Sequence, residues 1–363
     1  MGDVLPKFVA AAVQTSPVFL DREATVEKAC NWIREAGRAG ARLIVFPEAY
    51  IPTFPYWPRA MPHPHRRLSV RAYVELYKNA VEIPSPATDR LRRAARDADA
   101  VVVMGLNERE KGFGATMFNT LLYIDRTGEI LGRHRKLVPT FEERCVWGQG
   151  DASDLRVFPS GAGRVGGLVC GNNKNALWQY ALLAQGEEVH VSVWPALDQM
   201  RGYIDGINRG YALMGQVFVV SACGVITEDQ VPDSFPLKAH TRWNATGGSG
   251  IIGPDGNYLA GPVYGREEIV CAELDFEKII EAKATSDSVG HYARWDVARL
   301  QILGGERYRP VEWVEGPAAA RPSEEGPSQE AVVPPGDAAA APEIADVDEE
   351  EFRRAVRELE GLK

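Results

Sequence analysis

Gly166-Gly167-Leu168-Val169-Cys170-Gly171-Asn172-Asn173-Lys174-Asn175, followed by Ala176-Leu177-Trp178-Gln179-Tyr180-Ala181-Leu182-Leu183-Ala184-Gln185-Gly186, is the stretch that decides how this chain folds. An apolar, β-type run reaches a cysteine set beside glycine, and a polar Asn cluster then opens a helical pattern. Glycine lets the backbone turn sharply, and asparagine suits a helix N-terminus. The unit therefore reads as strand, tight turn, helix. A thiol at that junction points outward from a sheet edge, and the dipole of the following helix favours its thiolate. The same geometry exposes the serine of a nucleophile elbow. A free cysteine can equally be a small buried hydrophobe, and this stretch alone does not choose.

Outward from this unit, short β-rich runs alternate with helical patterns over roughly the first 310 residues. Phe8 to Gln14, Ala41 to Phe46 and Ala100 to Gly105 read as strands, and Asp21 caps a helix running to about Arg38. Thr120 to Ile124, a turn at Asp125-Arg126-Thr127-Gly128 and the run from Glu129 read as a hairpin. Later strands are expected at Glu188–Val193, Val217–Ser221, at Gly250 before the turn ending at Gly256, and at Glu268–Leu274. Such alternation implies a layered α/β domain, assigned to residues 1–313. Composition changes abruptly after Trp313. Residues 314–344, rich in Pro, Ala and Glu, bury too little apolar area to order a chain. Residues 345–363 can form an acidic helix with Phe352, Val356 and Leu359 on one side.

The chain has 363 residues, 45% apolar and 25% charged, with formal charge −9. From Glu315 to Lys363 there are 13 acidic and 5 basic residues, so the acidity belongs to the tail and the rest is near neutral. That balance argues against a nucleic-acid partner. No apolar run is long enough to span a membrane and no secretory leader is visible, so no membrane partner is expected. The five scattered cysteines, Cys30, Cys145, Cys170, Cys223 and Cys271, form no CxxC pair. They suit a reduced, cytoplasmic protein without a zinc site.

A thiol nucleophile needs a base and a cation to hold developing negative charge. Open α/β sheets gather such groups at the C-terminal ends of strands. Glu48 follows the strand ending at Phe46 and precedes an aromatic stretch that can desolvate it and raise its pKa. Lys136 lies in Gly132-Arg133-His134-Arg135-Lys136-Leu137-Val138-Pro139, and Glu142, Glu143 and Arg144 follow. Each taken singly reads as a solvated surface charge.

Together, Phe46-Pro47-Glu48, Lys136 ahead of Pro139-Thr140 and Glu143-Arg144, and Cys170 after a Gly-Gly strand resemble the nitrilase, or carbon–nitrogen hydrolase, superfamily in its nitrilase branch. Ala11 to Pro17, Phe118-Asn119-Thr120, Trp147 to Asp151, Phe218 to Cys223, Gly247 to Ile251 and Val289 to Asp296 extend the resemblance to about residues 5–305. It implies a four-layer α-β-β-α sandwich. It also implies Cys170 as nucleophile, Glu48 as general base, Lys136 as the cation facing the tetrahedral intermediates and Glu143 as second carboxylate, with Glu142 as the alternative. The implied reaction converts an organic nitrile to carboxylic acid and ammonia through a cysteine thioimidate and thioester, with no cofactor and no metal. Relatives pair as homodimers that build larger oligomers or spiral filaments.

Phe54, Tyr56, Trp57 and Trp194 suggest an aromatic wall for aromatic or arylaliphatic substrates, with Asn172 and Asn173 as further substrate-binding candidates. Asn172 stands where this branch often has Glu, Lys174 where a small polar residue is common, and Met214 where Glu is common. These departures imply altered electrostatics near Cys170. They leave room for an amidase, a cyanide or nitrile hydratase, or a weakly active oligomeric scaffold.

Overall fold

The computed structural model describes residues 2–60, 66–112 and 114–303, all within the unit Met1–Arg309. The expected linker (314–344) and acidic helix (345–363) lie outside the described residues. The N-terminal half contributes β1 (Lys7–Gln14), α1 (Arg22–Arg38), β2 (Ala41–Val45), α2 (Arg66–Asn79), α3 (Pro86–Asp97), β3 (Val101–Arg109), β4 (Met117–Ile124) and β5 (Ile130–Arg135). The C-terminal half adds β6 (Phe158–Ser160), β7 (Gly163–Val169), α4 (Ala176–Leu183), β8 (Val189–Trp194), α5 (Arg201–Gly215) and β9 (Phe218–Cys223). It closes with β10 (Val225–Ile226), β11 (Ala245–Ile252), β12 (Tyr258–Tyr264), β13 (Glu268–Asp275) and α6 (Glu277–Ser286).

Two mixed sheets form. One runs β13-β1-β2-β3-β4-β5 and the other β10-β11-β9-β8-β7-β6, with β12 paired to β11. Their central strands are parallel, β1 with β2 with β3 and β7 with β8 with β9. Buried on both faces, these strands read as continuous apolar runs. Alternate residues serve different cores. Ala10, Ala12, Leu43, Val45, Val101 and Val103 meet Val165, Val189, Val191 and Val220 between the sheets. Ala11, Val13, Ile44 and Val102 instead face Val26, Ile33 and Leu91 of α1 and α3. The second sheet is covered in turn by α4 and α5 through Leu182, Leu183, Tyr211 and Ala212.

The result is the expected four-layer α-β-β-α sandwich. Asp21 caps α1 by accepting from Ala24 N at 2.9 Å. No helix among the described residues is long and apolar enough to cross a membrane.

Candidate active site

The site assembles where β2, β5 and β7 end. Two residues after β2's final strand neighbours, Pro47 turns the chain into Glu48, and Ala49 adopts a left-handed backbone at φ 46°. The turn lies so close to β3 that a Cβ on Gly105 would sit 1.9 Å from the Pro47 carbonyl oxygen. Lys136 extends β5 by donating its N–H to Asn119 O at 2.8 Å. Glu143 sits in the 3₁₀ turn Phe141–Cys145, its carboxylate accepting from Thr140 N at 2.7 Å. Cys170 follows β7 with φ 49°. A left-handed non-glycine residue costs about 1–3 kcal/mol and persists only where its surroundings hold it.

Glu48, Lys136, Glu143 and Cys170 converge, all buried. Lys136 Nζ donates to Glu48 Oε1 at 2.8 Å and to Glu143 Oε2 at 2.6 Å. The other carboxylate oxygens, Glu48 Oε2 and Glu143 Oε1, have no hydrogen-bond partner among the described residues. Glu143, rather than the partly exposed Glu142, supplies the second carboxylate. Ligand-type atoms of Glu48, Glu143 and Cys170 lie within 4.8 Å of one another, a spacing that suits a cation. The ammonium of Lys136 already meets that demand.

Burial lifts Glu48 to about 7, with Lys136 pulling it down and Glu143 pushing it up. Burial alone would lower the Lys136 pKa, but Glu143 and Glu48 outweigh it and hold the ammonium above its ordinary range. Burial, then the charge of Glu48, pushes the Cys170 thiol well up against the pull of Lys136. This corrects the expectation of a dipole-stabilised thiolate on an outward-pointing cysteine. Cys170 is only 4% exposed, and a 3₁₀ turn, Cys170–Lys174, separates it from α4, whose cap is Asn175. These surroundings hold Cys170 toward the neutral thiol, beside Glu48.

Of the three sequence departures near Cys170, one is buried and two are exposed. Asn172 is buried and clamps the chain after Lys136, accepting from Val138 N at 3.2 Å and donating to Val138 O at 2.8 Å. Lys174 is exposed, its Nζ 5.5 Å from the Tyr203 ring. Met214 is 56% exposed on α5. Asn172→Leu is expected to cost about 1–2 kcal/mol by stranding both Val138 groups, read as a lower thermal midpoint with unchanged KM.

The aromatic candidates divide. Phe54 packs against Trp147 at 5.5 Å between ring centroids, and Trp147 lies 5.9 Å from Lys136 Nζ. Tyr56 donates to Pro195 O at 3.2 Å, just beyond β8. Trp57 is 1% exposed and packs on Phe235 and Phe19, so it builds core. Trp194 donates its indole N–H to Ser192 Oγ at 2.9 Å and shares the inter-sheet core with Cys170. Asn173 turns its amide to the backbone carbonyls of Leu168 and Cys170.

Two residues were missed by the sequence reading. Asn119 donates to Glu48 Oε1 at 2.7 Å. Asn107 accepts from Trp147 Nε1 at 2.9 Å and donates to Ile51 O and Thr53 O, fixing the loop after Glu48. Asn119 lies in the Phe118-Asn119-Thr120 motif, which was the available signal.

The sequence matches the carbon–nitrogen hydrolase family over residues 9–284. The chain belongs to that family, in its nitrilase branch. It is 41% identical over 300 residues to a protein named Nitrilase 2 from an unknown prokaryotic organism, covering 82% of this chain and 93% of that one. It is 35% identical to an aliphatic nitrilase of Rhodococcus rhodochrous, covering 85% and 82%, and 36% identical to Nitrilase 1 of Arabidopsis thaliana, covering 80% and 85%. Among solved structures, a Saccharomyces cerevisiae member of branch 10 of the nitrilase superfamily superposes with TM-score 0.65 at 19% identity, over 79% of this chain and 97% of that one. An amidase from Nesterenkonia sp. AN1 gives 0.56 at 18%, over 78% and 98%. At such identities the structural likeness carries the family fold alone.

Proposed function

We propose that this chain is a nitrilase, hydrolysing an organic nitrile to a carboxylic acid and ammonia with Cys170 as nucleophile. The carrying observation is a buried thiol beside Glu48, whose pKa is lifted to about 7, with Lys136 bonded between two carboxylates. Relatives named nitrilase at 35–41% identity over most of both chains support nitriles as substrates.

Glu48 takes the thiol proton as sulfur attacks the nitrile carbon. Glu48 passes that proton to the nitrogen, giving a thioimidate and restoring its own carboxylate. Water then adds, with Glu48 accepting its proton and returning it as ammonia leaves, and a second water hydrolyses the thioester to the acid. Lys136, held charged, turns its remaining N–H toward the charge that develops on nitrogen and then oxygen. Asn119 and Lys136 both bind Glu48 Oε1, which leaves Oε2 for the travelling proton.

Because Glu48 must be ionised to receive the thiol proton, kcat/KM is expected to rise with pH through about 7. A rate profile flat from about pH 5 to 8 would contradict this assignment.

Phe54 and Tyr56 are the proposed substrate contacts. Their ring surfaces fit an aromatic or arylaliphatic side group. Assembly with further copies of this chain is part of the proposal, supported by the exposed Leu177, Leu213 and Met214 on α4 and α5. Five free cysteines support a reducing, cytoplasmic setting.

The test is a panel of aliphatic and aromatic nitriles with their matching amides, quantifying ammonia, acid and amide. Acid and ammonia from nitriles are expected. Turnover of amides without nitriles would replace this reading with an amidase.

A further inference from the structure

Behind the nucleophile lies a buried polar chain that no step of the reaction uses. Asn173 Nδ2 donates to Leu168 O and to Cys170 O, each at 3.0 Å, so one amide grips the backbone on both sides of the left-handed turn. Its Oδ1 faces His190 Nε2 at 2.8 Å, and His190 Nδ1 lies 2.8 Å from Glu187 Oε1. Tyr211 donates its hydroxyl to Glu187 Oε2 and stacks on the imidazole at 3.7 Å between centroids. Gln179 donates to Asn173 O. Asn173, His190, Glu187 and Tyr211 are all at most 2% exposed.

The donor and acceptor roles follow from these partners. With its N–H groups spent on two carbonyls, Asn173 can only accept from His190, which fixes a proton on Nε2. Glu187, gripping Nδ1, fixes the ring. The arrangement also explains part of the Gly-Gly strand: a Cβ on Gly166 would sit 2.2 Å from Glu187 Oε1.

We propose that Glu187 and His190 are positioning residues which, through Asn173, hold Cys170 in its attacking conformation. The proposal rests on Cys170 being the nucleophile, and reassigns Asn173 from substrate contact to backbone support.

Three variants test it. His190→Phe keeps a ring on Tyr211 but offers Asn173 no N–H. Glu187→Ala removes the grip on Nδ1. Glu187→Gln retains it, since a carboxamide can accept from Tyr211 and donate to Nδ1. Steady-state constants with a nitrile are read beside the rate of Cys170 alkylation by iodoacetamide, followed by peptide mass, and thermal unfolding gives the folded fraction. Per folded molecule, His190→Phe and Glu187→Ala are expected to lose roughly 100-fold in kcat with KM within about threefold, while Glu187→Gln stays within about fivefold of the parent. Alkylation is expected to change about tenfold or more in the first two variants and to be restored in the third.

Folded His190→Phe or Glu187→Ala with parental kcat and parental alkylation overturns the proposal, as does lost kcat with parental alkylation. If His190→Phe does not fold, equal values for Glu187→Ala and Glu187→Gln overturn it. If the parent hydrolyses no nitrile, the nitrilase reading fails while the alkylation contrast still decides this one.

Discussion

Cys170→Ala is expected to give a folded protein whose nitrile turnover has fallen by on the order of 10⁴–10⁶-fold, to background. The loss is this large because no bond to the nitrile carbon can form without the thiol, and Glu48 and Lys136 then have no covalent intermediate to serve. Stability is expected to move little. Alanine meets the same left-handed backbone at φ 49° as cysteine does, and only one buried sulfur is removed. The check is a nitrile assay beside thermal unfolding. Residual turnover above roughly 10⁻² of the parent would remove Cys170 from the mechanism.

Lys136→Met is the second large effect, and it acts on both activity and stability. The ammonium is wholly buried and bonded to Glu48 and Glu143 at 2.8 and 2.6 Å. Taking away one member of such a cluster typically costs about 3–5 kcal/mol, because buried charge is left uncompensated. Glu48 loses the neighbour that pulls its pKa down, so it holds its proton at neutral pH and cannot act as base. With the charge stabiliser gone as well, kcat is expected to fall by at least about 10³-fold.

The pH dependence of stability follows with a definite sign. Glu48, whose folded-state pKa is raised above its ordinary value, binds more protons when folded, so the variant regains stability as pH falls. Thermal midpoints measured near pH 5 and pH 8 should show a smaller deficit at the acid end. An equal deficit at both would mean that Lys136 is not what balances this carboxylate.

The proposed catalytic constellation could be picked out as a candidate because it is written locally: Phe46-Pro47-Glu48, Arg135-Lys136 and the Gly-Gly strand before Cys170 each lie at a strand end. The layered α/β class was legible in the alternation of β-rich and helical runs, whereas the four-layer sandwich was implied only by the family resemblance. The partners of Asn119 and His190 were not legible. Every residue of β4 and β8 is buried, so no alternation marks which face a polar side chain takes, and their partners lie 71 and 17 residues away. That Lys174 and Met214 are exposed was not legible either, because a departure in sequence says nothing about exposure. The outward-pointing thiolate expected at Cys170 misled for a related reason: the residue is buried, and the 3₁₀ turn Cys170–Lys174 separates it from the end of α4.

The central claim is a covalent bond between Cys170 and the nitrile carbon, and acid-quenched peptide mass spectrometry during steady turnover of a nitrile tests it most directly. The peptide bearing Cys170 is expected to carry the mass of the imidoyl or acyl group of the substrate, and to lose it when the nitrile is exhausted. The same mass on any other side chain, with Cys170 unmodified while turnover proceeds, would contradict the account.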